Sequence, residues 1–478
     1  MSRSGQAIRG RFDHRGGPSL IVGGAGIAAL LAFHAGTTGT AIDLVVLLAL
    51  VFFVAVVYLT VAAPHVLVAL AIPLFAAIPM LKVLVVPWIG PLKDAIIIGA
   101  VVGAGILALE RRVAGERQPV DGIVLGLVGG LLGLYVLDLG RGFGPDAYGS
   151  AWMQGLRLTA EPLLLLLVGL SVRRPRQVLR WGLASLLATT CLVALYGLYQ
   201  QRVGEWGLIG MGYEFDIHVR TIDGHLRSFG TLDDPFAYAA FLLFGIGTVA
   251  FFRTRRAVAV VVLPLLLAGL AASWVRTAVV ILAALASLWL ARRGEVAVAA
   301  ILLAASVAAS VALLVTLRAT ETRTVQTAPS VFLSINGRTD VWKTVLGERS
   351  QWPFGRGVGA VGTAADRATF GVYQTREDAD VKRGTAVDSG YLATVADVGL
   401  VGLVILLALL IRVGQLCVAA ARRGDEAGWV GIALLTVMAL DAVTRASFIG
   451  FPTAFLGMLL VGVAIGAAGT AGASTRRA

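Results

Sequence analysis

Residues 391–411 read YLATVADVGLVGLVILLALLI, a stretch with a single charged residue, Asp397. An apolar run of about 20 residues matches the hydrocarbon thickness of a bilayer, so a transmembrane helix is predicted here. Similar runs recur along the chain, which is 58% hydrophobic and 14% charged with a mean hydropathy of +0.85. Because the runs are continuous and do not alternate apolar with polar residues, a membrane β-barrel is excluded. We therefore expect an all-α polytopic membrane protein.

About 12–14 transmembrane helices are predicted from the lengths of the apolar runs. The span at 66–86 is the least regular, because Pro73 and Pro79 interrupt it. The expected spans are 19–35, 42–62, 66–86, 94–109, 121–137, 157–172, 178–199, 235–252, 257–272, 275–291, 297–317, 390–411, 427–444 and 450–468. The expected regions are a tail at 1–18, helices at 19–317 with a loop at 200–234, a large loop at 318–388, helices at 389–469 and a tail at 470–478.

Arginines in the short loops predict the orientation, since cytoplasmic loops are enriched in Lys and Arg. They fall on alternate connections, at 111–117, 173–180, 253–256, 292–293 and 412–423, whereas the opposite loop at 441–451 is nearly free of them. Both termini are therefore expected in the cytoplasm, with residues 200–234 and 318–388 outside. The net charge of +12 suits anionic headgroups and lipid-linked phosphates. Nucleic acid is not an expected partner, because the basic residues are dispersed among membrane spans.

No metal or other cofactor is expected. The two cysteines, Cys191 and Cys417, fall in or beside apolar spans, and no Cys/His metal-binding pattern occurs. Each cysteine is therefore interpreted as a small buried apolar residue.

The large loop at 318–388 carries ten Lys or Arg and eight Asp or Glu residues. A loop of this length is seldom a mere connection, and we expect it to form one wall of an active site at the membrane surface. It contains PFGRGVGAVG at 353–362, whose last part matches G-x-G-x-x-G. A dinucleotide site is rejected because no strand precedes the motif. A glycine turn that permits close backbone approach is predicted instead.

Two arginines stand at the mouths of predicted spans. Arg227 begins RSFGTLDDP before the span at 235–252, and Arg276 lies between two apolar runs with almost no loop. An ionisable residue at membrane depth is costly and by default indicates function, although snorkelling to the interface is the alternative. Ser273 and Thr277 flank Arg276, and we expect them to help hold an anion.

Together these motifs resemble the superfamily of O-antigen ligases and O-antigen polymerases, which are polytopic, GT-C-like glycan-transfer enzymes. The resemblance covers roughly residues 220–410 and rests on RSFGTLDDP from Arg227, SWVRTA from Ser273, GRTDVW from Gly337, PFGRGVG from Pro353, DSGYLA from Asp388 and GLVGL from Gly399. It implies an inverting, metal-independent transfer from an undecaprenyl-diphosphate-linked glycan to a saccharide or glycolipid acceptor. The implied location is the outer face of the bacterial cytoplasmic membrane.

The resemblance also implies the site residues. Arg227, Arg276 and Arg338 are expected to bind the donor diphosphate, since guanidinium groups bind phosphate through paired hydrogen bonds. Arg338 is further expected to act in catalysis, because an arginine can stabilise charge on the leaving diphosphate. The remaining candidates are Asp340, Tyr391 and Asp234.

Asp388 is the expected catalytic base. Ligases of this superfamily typically carry His-Asn before Tyr-Leu, where this chain has Asp388 and Ser389, and its five histidines all lie outside the large loop. A carboxylate can accept the proton of a sugar hydroxyl, but Asp388 and Ser389 could equally cap the following helix, and both interpretations stay open here. The departure favours a polymerase or another glycan transferase over a lipid A ligase.

The alternative function is a transporter or flippase of lipid-linked saccharides. Transporters carry charged residues or broken helices near the bilayer midplane. In this sequence Asp43, Glu161 and Asp441 are expected near the ends of spans, and the polar residues cluster outside the membrane. Chemistry at the membrane surface is therefore the preferred interpretation.

Overall fold

The computed structural model describes residues 41–85, 89–116, 120–138, 149–215, 218–222, 224–252, 256–305, 346–347, 353–359 and 389–475. In these ranges the chain forms 13 helices and one two-stranded antiparallel sheet. Six of the helices are long and apolar enough to cross a membrane. The protein is thus an all-α polytopic membrane protein, as its apolar runs predict.

Each described helix overlaps one predicted span, although four of their ends differ from the prediction by six residues or more. They are α1 (Ala41–Ala62), α2 (Pro64–Leu84), α3 (Pro91–Val113), α4 (Gly122–Leu137), α5 (Gly149–Ser171), α6 (Pro175–Gly210), α7 (Pro235–Phe251), α8 (Arg256–Ala272), α9 (Arg276–Arg292), α10 (Val296–Ala305), α11 (Gly390–Arg422), α12 (Glu426–Thr444) and α13 (Thr453–Thr475). The predicted span at 19–35 lies outside the described residues, and α10 covers only the first part of the span at 297–317.

Helix α2 continues through both of its internal prolines. Residues from other segments provide hydrogen-bond partners for backbone groups near these prolines. A proline has no N–H group, so Pro73 leaves the carbonyl of Ala69 without its usual helical partner. The hydroxyl of Ser185 on α6 donates to that carbonyl at 2.6 Å. Beside the second proline, the Thr231 hydroxyl donates to Ala76 O at 2.7 Å, and the Thr231 backbone carbonyl accepts from Met80 N at 3.1 Å. Such substitute partners allow prolines inside membrane helices.

Four predicted boundaries were wrong by six residues or more. Helix α5 begins at Gly149 and not at residue 157, and helix α11 ends at Arg422 and not at residue 411. Helix α6 does not end near residue 199 but bends at Gly204, which has φ +73°, and continues to Gly210. Leu208 in this extension packs with Tyr213 and Phe229 in a small apolar cluster, so burial keeps the segment helical. The loop predicted at 200–234 therefore begins at residue 211. Helix α13 also runs to Thr475, past the predicted end at 469.

The bundle has two chemically different ends. We call one the arginine end, since four arginines pair there with carboxylates at 2.5–3.7 Å: Arg173–Glu110, Arg176–Asp425, Arg292–Glu426 and Arg412–Asp121. We call the opposite end the loop end. It carries the two-stranded sheet, the turn between α8 and α9, and the first residues of α7 and α11.

Helix α13 lies at the centre of the bundle, in contact with α5, α6, α7, α11 and α12. Its approach to α5 requires glycines on both helices. A Cβ atom at Gly169 would lie 2.3 Å from Leu459 O, and one at Gly462 would lie 2.4 Å from Leu166 O. Small residues of this kind let membrane helices pack backbone to backbone.

Candidate functional site at the loop end

A short hairpin covers the turn between α8 and α9. Strands β1 (Arg220–Ile222) and β2 (His225–Arg227) pair antiparallel. Directly after β2, Ser228 N donates to Ala272 O at 2.9 Å. Gln201 on α6 donates from Nε2 to the carbonyls of Leu226 and Ala272, at 2.8 and 3.2 Å. The hairpin is thereby fixed against the end of α8.

Arg227 is buried inside this arrangement, with only 4% of its surface exposed. Its Nε donates to Ser273 O at 3.4 Å, and its guanidinium lies 4.7 Å from the centre of the Phe236 ring. A cation above an aromatic face is attracted by the negative charge of that face. The side chain is therefore held in place inside this arrangement.

Arg276 is the first residue of α9, and it is exposed. It follows the same turn that Arg227 contacts through Ser273, so the structure brings these two predicted site residues to one turn. The expected role of Ser273 was wrong, because its hydroxyl donates to Leu270 O at 2.6 Å and accepts from Val275 N at 3.3 Å. Thr277 Oγ1 is buried and has no hydrogen-bond partner among the described residues.

Asp234 belongs to a second polar group at the loop end, which sequence reasoning missed. Its Oδ1 accepts from Ala237 N at 2.8 Å and caps α7, and its Oδ2 lies 3.2 Å from Arg445 Nη2. Arg445 Nη1 lies 3.5 Å from Asp441 Oδ2, which also accepts from Ser447 Oγ at 2.5 Å. We call Asp234, Asp441, Arg445 and Ser447 the Arg445 clasp.

The clasp keeps Arg445 charged. Burial lowers the pKa of its guanidinium, but the carboxylates of Asp234 and Asp441 raise it by more, so the net shift is upward. One signal could have identified this residue in the sequence. Arg445 is the lone arginine of the loop at 441–451, on the side where the short loops are otherwise nearly free of Lys and Arg.

The clasp also contacts the start of α11. Gly390 N donates to Arg445 O at 2.8 Å, and Ser389 Oγ donates to Ala442 O at 3.3 Å. Ser389 occupies the N-cap position but makes no side-chain capping bond. The hydroxyl of Tyr391 donates to Ala439 O at 2.9 Å, so this candidate joins α11 to α12. The other three candidates, Asp388, Arg338 and Asp340, lie outside the described residues.

The predicted glycine turn is confirmed at residues 353–359, which pack on a bend in α11. That bend lies at Gly399, with φ +73°, and a Cβ atom there would be 2.4 Å from Phe354 N. Arg356 N and Gly357 N donate to the carbonyls of Ala396 and Asp397, at 2.7 and 2.9 Å. Gly355 has φ +69°, and a Cβ atom there would lie 2.3 Å from Asp397 O, so this close approach requires glycine. Two motifs that are distant in sequence, PFGRGVG and GLVGL, are thus in direct contact.

A small cavity of about 30 Å³ lies beside this contact, lined among others by Tyr135, Thr159, Asp397 and Phe448. Its volume suits one or two water molecules. A sugar ring does not fit in a volume of this size.

A buried charged group lies deeper in the bundle. Lys93 Nζ is 2.8 Å from Glu161 and also pairs with Asp94, which pairs in turn with Arg157. Glu161 is the thirteenth of the 23 residues of α5, so its predicted place near the end of the helix was wrong. Its partner Lys93 is nevertheless in the first turn of α3, so the group lies toward the loop end. Its two cations offset its two carboxylates.

Among the described residues, no cluster of three or more His, Cys, Asp or Glu side chains is placed to hold a metal ion. No protein-family model and no curated protein matches the chain. The functional interpretation therefore depends on the geometry of the loop end.

Proposed function

We propose that the protein is a GT-C-like membrane glycosyltransferase that polymerises or ligates glycan from a polyprenyl-diphosphate-linked donor. The observation that supports this most is the meeting of Arg227 and Arg276 at the turn between α8 and α9. One arginine is held by Ser273 O and the Phe236 ring, and the other is exposed. Two arginines at one turn, one fixed and one accessible, suit a diphosphate, because arginine binds phosphate oxygens through a rigid, planar set of donors.

The proposed site faces the outer side of the bacterial cytoplasmic membrane. At the opposite end, Arg173 lies in the short connection between α5 and α6 and Arg292 ends α9, and both join ion pairs. Arginine-rich connections are typical of the cytoplasmic side. The diphosphate of a lipid-linked donor lies at headgroup level. It would therefore meet the exposed Arg276 as soon as the donor reaches the loop end.

The chemistry proposed is an inverting transfer without metal. A hydroxyl of the acceptor attacks the anomeric carbon of the donor sugar, and the bond from that carbon to the diphosphate oxygen breaks. The proton of the hydroxyl passes to the carboxylate of Asp388. The negative charge that develops on the leaving polyprenyl diphosphate is stabilised by Arg227, Arg276 and Arg338.

The test uses the full chain in proteoliposomes, with a polyprenyl-diphosphate oligosaccharide of defined length and no added metal. Longer glycan and free polyprenyl diphosphate are expected. Arg276→Lys should bind the donor more weakly, since lysine lacks the planar donor set, whereas Arg423→Lys at the arginine end is a matched control expected to behave as wild type. If the wild-type protein binds donor but never consumes it, the transferase proposal is wrong.

Asp388→Asn separates a base from a helix cap. Asparagine caps helices as well as aspartate does, but it cannot accept the proton. We expect unchanged donor binding and a loss of transfer of about 10²–10⁴-fold. Transfer at the wild-type rate would remove Asp388 from the chemistry.

The buried group around Lys93 and Glu161 favours a second candidate, a transporter of lipid-linked saccharides, because charges inside the bundle often mark a substrate path. In the same proteoliposomes, a transporter would move the lipid-linked donor between leaflets without lengthening its glycan. Such movement, abolished in Lys93→Met/Glu161→Gln and accompanied by no transfer, would establish this alternative.

A further inference from the structure

Trp274 adopts a backbone conformation that side chains of its size rarely adopt. It occupies the turn between α8 and α9 with φ +52°, and it shares a positive φ only with Arg174 among the non-glycine residues described. A bulky residue in the left-handed region is strained. Such strain persists only where the surroundings impose it, and it is concentrated at ligand sites. Here the turn is imposed by hydrogen bonds from Ser273 N to Leu270 O and from Trp274 N to Ala271 O, each 3.1 Å.

The strained turn holds the Trp274 ring against a second aromatic ring. The rings of Trp274 and His225 lie 4.7 Å apart, centre to centre, and within 8° of parallel. Trp274 is 47% exposed, and His225 on β2 is also exposed. The pair is therefore a preformed aromatic stack at the loop end, in which each ring covers one face of the other and a ligand can reach only an outer face of the stack.

This aromatic pair adjoins the proposed diphosphate site in both of the segments that form the site, strand β2 and the turn between α8 and α9. Along β2, His225 is two residues from Arg227, so both side chains project from the same face of the strand. Along the turn, Trp274 is two residues from Arg276 and follows Ser273, whose carbonyl accepts from Arg227. In a polyprenyl-diphosphate glycan the first sugar is bonded directly to the diphosphate, so that sugar must lie beside the arginines.

We propose that Trp274 and His225 form the subsite for the first sugar ring of the lipid-linked donor. The apolar face of a pyranose presents C–H groups with partial positive charge, and these match the negative face of an aromatic ring. The proposal rests on the proposed function, since it places the sugar from the position of the diphosphate. It assigns the aromatic pair to recognition of the donor glycan, while the arginines recognise its diphosphate.

The competing role for Trp274 is that of an interface anchor, because tryptophan is enriched at headgroup level in membrane proteins. Trp206 on α6 provides a matched control. It also lies toward the loop end, it is 82% exposed, and it belongs to the helical extension of α6 that follows the bend at Gly204. An anchor needs neither the stacked partner nor the strained backbone that Trp274 has.

The experiment measures binding of two probes to the purified full chain in nanodiscs. One probe is polyprenyl diphosphate without sugar, and the other is the same lipid carrying an oligosaccharide. We expect Trp274→Ala and His225→Ala to weaken binding of the glycan probe by about 2- to 10-fold, the size of one lost aromatic contact. Binding of the sugar-free probe should not change. Trp206→Ala should change neither affinity.

The variant Trp274→Gly distinguishes the loss of an aromatic contact from a loss of protein stability. Glycine adopts a positive φ without strain, so this variant should melt at or above the wild-type temperature while it loses glycan affinity. A lower melting temperature with equal weakening of both probes would identify a structural role and overturn the proposal. Unchanged glycan affinity in Trp274→Ala would also overturn it, with the proposed function intact. If the wild-type protein binds neither probe, the proposed function fails together with the subsite.

Discussion

Replacing Arg445 by Met should destabilise the protein by about 3–5 kcal/mol, because it leaves a buried carboxylate without its cation. The carboxylate at risk is that of Asp441, whose side chain is 4% exposed and whose described polar contacts are Arg445 at 3.5 Å and Ser447 at 2.5 Å. The other partner of Arg445 contributes less. Asp234 is 24% exposed and keeps its capping bond to Ala237, so loss of its ion pair should cost no more than about 1 kcal/mol.

The double variant Arg445→Met/Asp441→Leu should recover most of this loss. Buried ion pairs that are replaced together by apolar residues of similar volume are often no less stable than the original pair. Equilibrium unfolding in mixed detergent–SDS micelles, followed by tryptophan fluorescence, gives the free energies for the double-mutant cycle. Arg412→Met is the matched control, since Arg412 pairs at the arginine end with Asp121, a carboxylate as exposed as Asp234.

The control variant should lose far less stability than Arg445→Met. Two results would refute the reasoning. One is a loss below about 1 kcal/mol in Arg445→Met, which would mean that Asp441 does not need its cation. The other is a double variant no more stable than Arg445→Met, which would mean that the loss arises from packing around the arginine stem and not from the uncompensated charge.

Two further predictions concern orientation and pH. In a background without the two native cysteines, a cysteine at Glu214 should react with an impermeant maleimide added outside, and one at Glu295 should not; the reverse labelling would invert the proposed topology. Burial lowers the pKa of His218, and the Asp233 and Glu214 carboxylates only partly oppose this shift. Its contribution to stability should therefore be complete above its ordinary pKa of about 6.5 and be lost as pH falls through the lower folded pKa. Melting temperatures should fall more between pH 7 and pH 5 in wild type than in His218→Gln, and parallel curves would contradict this.

The positions of the helices were predictable because a bilayer imposes one dominant constraint, an apolar run long enough to cross it. The boundary errors, at the start of α5 and at the ends of α6, α11 and α13, arise where that constraint no longer acts. Beyond Gly204 the extension of α6 is held by local packing of Leu208 against Tyr213, which hydropathy does not report. The interruption expected at Pro73 and Pro79 did not occur, because the compensating partners belong to other parts of the chain.

The candidate site was predictable only where the residue types of a short motif indicate a role by themselves. Arg227 and Arg276 stood out as charges at the mouths of spans, and the glycines of PFGRGVG predicted close backbone approach. The role of Ser273 was mispredicted because its hydroxyl is consumed by its own turn, a local competition that residue type does not reveal. Arg445 was missed because its partner Asp234 is 211 residues away, and pairing at that distance leaves no pattern in one sequence.

The Arg445 clasp links the two halves of the proposed reaction. On one side it fixes Asp234, seven residues after Arg227, at the start of the helix that also carries Phe236 beneath the Arg227 guanidinium. On the other side its backbone carbonyl holds Gly390, two residues after Asp388. A transferase must keep a leaving group and a base at a constant separation, because small displacements of reacting groups are costly in rate. A transporter must instead let its elements separate around the substrate. Charged side chains that join α7 and α12, with a backbone bond onward to α11, therefore favour the transferase over the transporter.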